Sequence, residues 1–119
     1  MPAPADHLRQ AAANEEFADF VRNSGKPEHM SWAVTALFYA AVHLGRAYVQ
    51  RKEPALVATS HQSFASHFLR LTKSTDLYRY YRELKDESER GRYDCVKHSA
   101  SDYDALARRI YQPFKDLLK

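Results

Sequence analysis

Apolar positions recur along this chain at helical rather than strand spacing, and five segments can be read from them. The first runs from about Ala5 to Arg22, with Leu8, Ala12, Phe17, Phe20 and Val21 at mostly three- to five-residue intervals. Gly25 and Pro27 end it, the glycine by tolerating left-handed backbone and the proline by blocking continuation. The second spans about Glu28 to Arg51. Trp32, Ala36, Tyr39, His43 and Ala47 form one stripe on it, and Val34, Leu37, Phe38, Ala41, Leu44 and Tyr48 form the other side. A helix apolar around most of its girth packs on several sides, so this one is expected to be central, with both stripes largely buried.

Beyond a loop from Lys52 to Thr59, Ser60 is placed to cap a short third helix that turns Phe64, Phe68 and Leu71 inward. Ser74 or Thr75 caps a fourth, where Leu77, Tyr81, Leu84 and Ser88 line up. Its other face offers Arg79 to Glu83, Arg82 to Asp86, Lys85 to Glu89 and Asp86 to Arg90, pairs worth roughly a few tenths of a kcal/mol each. KDESER is therefore a solvated helix face before it is a carboxylate cluster for catalysis. Gly91 is expected to end the helix and RYDCVKHSAS to connect it onward. Ser101 then caps a last helix, DYDALARRIY, with acidic residues in its first turn as the helix dipole prefers. Pro113 should kink that helix or open a separate C-terminal turn. The expected fold is all-α: one domain over residues 1–119, an antiparallel bundle of four to five helices.

Composition narrows the chemistry. Three glycines against fifteen Phe, Trp and Tyr residues leave little from which to build a phosphate-cradling loop or a β-sandwich. Cys95 is the single cysteine, so no intrachain disulfide and no zinc-binding thiolate set can form. The most apolar stretch, residues 32–44, is too short for about 30 Å of hydrocarbon, and the N-terminus has no signal-peptide pattern. A cytoplasmic protein without membrane association is expected. The net charge of +3 is unevenly spread. Residues 31–73 hold Arg46, Arg51, Lys52, Arg70 and Lys73 against Glu53 alone, while residues 1–30 are acidic overall. That middle stretch can meet a phosphate backbone, or serve solubility only.

Six histidines invite a metal reading, but their spacing does not support it. His61 and His67 are six apart and fall on different helix faces, and no H-E-x-x-H or Glu-x-x-His pair occurs. No metal and no cofactor are expected. His7 and His29, near helix ends, read as solvent-facing. His43, one turn beyond Tyr39, is either a packed ring satisfied by Tyr39 or a backbone carbonyl, or a polar group opening into a cleft with Tyr39 orienting it. Cys95 near His98 in a connection is not a defined nucleophile pair. Arg92 and His98, with five residues between them, are a different matter. Without metal, a histidine that moves the 2′-hydroxyl proton and an arginine that stabilises phosphate charge can cleave RNA.

A family resemblance gathers several of these residues. The second helix carries Trp32, Ala33, Thr35, Phe38, Tyr39, Ala40 and His43; the third opens with Ser60 and His61; the fourth ends with Ser88, Arg92 and Tyr93. Over roughly residues 12 to 117 the chain resembles the small prokaryotic branch of the HEPN superfamily (higher eukaryotes and prokaryotes nucleotide-binding). The resemblance implies an all-α bundle that commonly forms homodimers, in a prokaryotic stress, toxin–antitoxin or defence system. It also implies possible partners: RNA or a nucleotide, a nucleotidyltransferase, or an antitoxin. Many such proteins are metal-independent endoribonucleases using an arginine, four to six residues, then a histidine. Arg92 to His98 fits that spacing, and so does Arg22 to His29.

Three functions stay open on the sequence. One is a binding or partner module for RNA or a nucleotide, with Tyr39, His43, His61, Arg92 and Tyr93 near one cleft. The second is a ribonuclease with Arg92 and His98 as its catalytic pair. The third is a structural dimerisation protein in which these groups satisfy one another.

Overall fold

The computed structural model describes residues 2–54, 61–72 and 75–118, apart from the side chains at 61–63, 65, 71, 72 and 75. Over those residues the protein is all-α, five helices packed as one bundle. Helix α1 is Pro4–Arg22, and a 3₁₀ turn at Pro27–His29 leads into α2, Met30–Lys52. Helix α3 is His61–Thr72 and α4 is Thr75–Tyr93. Helix α5 is continuous but has three pieces: α-helical Ala100–Leu106, π-helical Ala107–Tyr111 and α-helical Gln112–Leu117. Among the described residues no helix is long and apolar enough to cross a membrane. The expected caps Ser60 and Ser74, and most of the expected 52–59 loop, lie outside the described residues, as does the side chain of Leu71.

Helix α2 is the centre, as its all-round apolar surface requires; Ala33, Val34, Phe38, Ala40 and Ala41 are buried on its several faces. Helix α1 runs antiparallel along it, with His7 against His43 at one end and Phe17 beside Trp32 at the other. The inward face of α1 is His7, Ala11, Ala18 and Val21. Two alanines there let the helix axes come close, and the same choice turns the larger apolar side chains away. Of the apolar positions spaced along α1, Leu8, Ala12, Phe17 and Phe20 are exposed and Val21 is buried; Trp32, expected on a buried stripe of α2, is exposed as well. Phe20 is 73% exposed, Trp32 59% and Phe17 about half.

Helix α4 lies antiparallel across α2, with Gly91 at Ser31 and Tyr81 at Phe38. Its stripe of Leu77, Tyr81, Leu84 and Ser88 is buried. Between α2, α3, α4 and α5 sits an aromatic cluster in which Phe64, Phe68, Tyr81 and Phe114 meet at centroid distances of 5.3 to 6.0 Å. Tilted and edge-on contacts of this kind add about 0.5–1.5 kcal/mol per pair beyond area burial. Phe64 can come in because position 45 lacks a side chain: a Cβ on Gly45 would collide with the Phe64 ring. Of the expected charge pairs on α4, Arg82–Asp86 and Lys85–Glu89 form. Arg79 turns instead to Asp76 and Arg90 to Glu87, both one turn toward the N-terminus.

Three boundaries differ from expectation, each for a local reason. Helix α4 does not stop at Gly91 but continues to Tyr93. That glycine is a contact residue rather than a terminator, since a Cβ there would lie 3.0 Å from the Ser31 Cβ and 3.3 Å from the His98 ring. The cap of α5 is Ser99, not Ser101: its hydroxyl accepts the Asp102 N–H at 3.0 Å, and the Asp102 carboxylate accepts the Ser99 N–H at 2.9 Å. Pro113 falls in the first turn of the segment Gln112–Leu117, where the winding returns from π to α. A proline ring clashes with the carbonyl four residues back, and here the wide π turn just before it, closed by Gln112 N–H to the Ala107 carbonyl, relieves that crowding. The buried positions record the extra residue, running Tyr103, Leu106, Tyr111, Phe114, Leu118 with a step of five across the π turn.

Candidate functional site

The site begins at the C-terminal end of α4. The last turn carries Arg92 toward α2, where its Nη1 donates to the Tyr39 hydroxyl at 3.1 Å and lies 3.4 Å from the Tyr93 hydroxyl. The guanidinium also stands over both rings, 5.6 Å from the Tyr39 centroid and 5.0 Å from that of Tyr93. Its Nε reaches the Ser88 carbonyl at 3.4 Å. Six other arginines, at 9, 22, 70, 79, 82 and 90, are ion-paired with carboxylates. Arg92 is not; among the described residues its polar partners are tyrosine hydroxyls and a backbone carbonyl. A half-buried guanidinium held in place by neutral groups keeps its charge available to an incoming anion.

Two clefts meet beside it. One, of about 240 Å³ between α2 and the end of α4, is lined by Arg92, Gly91, Ser31, Glu28 and Lys97. The other, of about 360 Å³ between α1 and α2, is lined by Gln10, Asn14, Phe17, Tyr39 and His43. Trp32 and Thr35 line both. Thr35 is only 5% exposed, and among the described residues its hydroxyl has no hydrogen-bond partner, a state it shares with Gln50 Oε1, Tyr81 Oη and Ser88 Oγ. A buried hydroxyl left unpaired costs about 1–3 kcal/mol, and of these four groups Thr35 is the one that lines both clefts. Tyr93, 71% exposed, lies against Arg92, while Trp32 and Phe17 are the exposed aromatic side chains that line the clefts.

His98 is in a different environment. After α4 the chain turns sharply, with Cys95 in the left-handed region at φ 57° and the Asp94 and Val96 N–H groups both donating to the Arg90 carbonyl at 3.1 Å. This turn brings Val96 and His98 back under α2. The His98 ring is 5% exposed, its Nε2 2.8 Å from the Glu87 carboxylate and its Nδ1 3.0 Å from Ser31 Oγ. Ser31 Oγ is also 3.0 Å from the Val96 carbonyl and accepts the His98 N–H at 3.4 Å. A carboxylate only accepts, so Nε2 carries the hydrogen of its contact. Both ring nitrogens are thus spent on holding the 94–98 turn against α2, and no contact joins His98 to Arg92.

His43 has a partner that neither expectation named. Its Nδ1 is 2.9 Å from Nδ1 of His7, with the rings tilted at 33°. His7, expected in solvent, is buried at the α1–α2 interface. One hydrogen can lie between two facing Nδ1 atoms, so one ring donates and the other accepts. Burial lowers the pKa of both rings below the ordinary histidine value, and Arg46 nearby pushes each the same way. His43 nonetheless lines the α1–α2 cleft with Tyr39.

The fold therefore brings Tyr39, His43 and Arg92 to adjoining clefts, with Tyr93 against Arg92, and takes His98 out of them. His61 opens α3, and its side chain lies outside the described residues. His29 is exposed, as expected. Among the described residues no group of three or more His, Cys, Asp or Glu side chains is arranged to hold a metal ion. Sequence reasoning missed the outward turn of Trp32 and Phe17, the buried hydroxyl of Thr35, and the Ser31–His98–Glu87 and His7–His43 contacts. The alanines of α1 were the available signal for the first. The others depend on which helices meet. Compared with protein-family models, with curated proteins and with solved structures, the chain finds no match.

Proposed function

We propose that this protein is a HEPN-like binding module for RNA or a nucleotide, working beside a partner in a prokaryotic stress, toxin–antitoxin or defence system. The observation that carries the reading is Arg92, a half-buried cation held by tyrosine hydroxyls rather than a carboxylate, in a cleft that exposed Trp32 also lines. An available guanidinium supplies phosphate attraction, and exposed aromatic faces supply the sequence-tolerant stacking that single-stranded nucleic acid uses. The position of His98 favours binding over cleavage by an Arg92–His98 pair. Its nitrogens are occupied within the fold, and neither is directed at a group that Arg92 also reaches.

The test is salt-dependent binding of a short single-stranded RNA, read by fluorescence anisotropy, with Arg92→Gln beside the parent. Affinity should fall as salt rises, and the variant should bind about tenfold or more weakly with a shallower salt slope. No binding at low salt sinks the proposal. Cleavage of the RNA in the presence of a chelator, lost in both Arg92→Ala and His98→Asn, replaces it with the ribonuclease reading.

A further inference from the structure

The two clefts share one wall, and that wall is unusual. It holds the single tryptophan of the chain, Trp32, turned outward, and directly beyond it Thr35, buried with an unpaired hydroxyl. On one side lies Arg92 with Lys97 and Glu28, two cations against one carboxylate. On the other lies a mostly neutral pocket whose polar groups are Gln10, Asn14, Tyr39 and His43. One half is thus charged for an anion, while the other is aromatic and rich in uncharged hydrogen-bonding groups.

Resting on the nucleic-acid reading above, we infer that the double cleft takes a single unpaired nucleotide. Its base lies against Trp32 and Phe17 in the α1–α2 cleft, and its phosphate meets Arg92 in the cleft beside α4. The Thr35 hydroxyl, turning about its χ1 bond, takes a hydrogen-bonding group of the ligand between them and gains the partner it lacks. The occupant is unpaired because a base stacked inside a duplex has no free face to offer Trp32. It is a nucleotide rather than a nucleoside because Arg92, which among the described residues has no carboxylate partner, stands with Lys97 across the shared wall from the stacking surface.

Trp32 is the only tryptophan, so fluorescence excited on the long-wavelength side of the tyrosine absorption band reads this wall. The experiment titrates the full chain with AMP, GMP, CMP and UMP, with adenosine, and with inorganic phosphate. At least one mononucleotide should quench Trp32; adenosine should do so about tenfold more weakly than AMP, since it lacks the charge-assisted contact. Inorganic phosphate should compete with the nucleotide without quenching. Arg92→Gln should abolish the difference between AMP and adenosine. Thr35→Val should weaken the nucleotide about three- to tenfold, the worth of one hydrogen bond, while leaving the thermal midpoint equal or higher. Anisotropy-detected RNA binding that leaves Trp32 unquenched, or that Thr35→Val does not change, overturns this site and leaves the binding module standing. Absence of every kind of binding overturns both. A Trp32 emission that shifts with protein concentration but with no nucleotide means that a second copy covers the wall, and that also overturns it.

Discussion

Arg92 and His98 stand close in sequence and answer to opposite demands. Arg92 closes a helix that faces a cleft; its contacts are neutral, and its charge is left over. His98 follows a left-handed residue that folds the chain under α2, where Ser31 and Glu87 use both of its nitrogens. The same pair of residue types can look catalytic in a sequence and be divided by a single turn into one surface group and one packing group. Spacing between two reactive residues carries meaning only when the backbone between them is known.

Stability measurements on single variants test these opposite roles directly. The largest effect is expected from His98→Ala, which empties a buried ring site and leaves Ser31 and Glu87 without their partner. Urea denaturation should show a loss of about 2–4 kcal/mol. A fully stable variant that has lost activity on RNA would reverse the assignment of roles. Next comes the response to acid. The folded pKa values of His7 and His43 are depressed by burial, so the unfolded chain takes up protons first. The stability they protect is complete above the ordinary histidine value of 6.5 and falls as pH drops through and below it. The thermal midpoint should decline in that window, and the double variant His7→Phe, His43→Phe should flatten the decline. An unchanged slope would mean the pair is not a proton-linked contact.

Ser99→Ala tests the far side of the His98 region. Removing this cap should cost about 1 kcal/mol, read by the same denaturation, whereas Ser101→Ala should be close to neutral. The smallest effect on folding belongs to Arg92→Gln, within about 0.5 kcal/mol of the parent. A loss as large as that of His98→Ala would show that Arg92 is a structural strut and not the open half of the contrast.

Most of the helical layout was legible in the sequence because periodicity reports it directly. Helix α2 announced its central place by being apolar on all sides, and the Leu77, Tyr81, Leu84, Ser88 stripe lies inward as read. The direction each aromatic side chain takes was not legible. Trp32 and Phe17 fit a buried stripe on their own helices, and only the close α1–α2 packing allowed by Ala11 and Ala18 turns them out. Gly91 looked like a stop signal because glycine ends many helices; its real constraint is Ser31, 60 positions earlier in α2, which no local pattern records. The site shows the same division. Tyr39, Arg92 and Tyr93 were grouped from the sequence and do meet, while the partners of His43 and His98 come from long-range contacts that spacing cannot see.

The π turn in α5 has a consequence for how this helix tolerates change in length. A single extra residue at Ala107–Tyr111 rotates everything after it by one position, which is why Leu118 is buried and Leu117 is half-exposed. Deleting one residue there would restore ordinary α-helical winding while keeping Tyr103 and Phe114 in phase. Pro113 would then press on the carbonyl that the wide turn now keeps clear. The deletion is therefore compatible with the bundle only in company with Pro113→Ala, which makes the π turn and the proline one unit of sequence, gained or lost together.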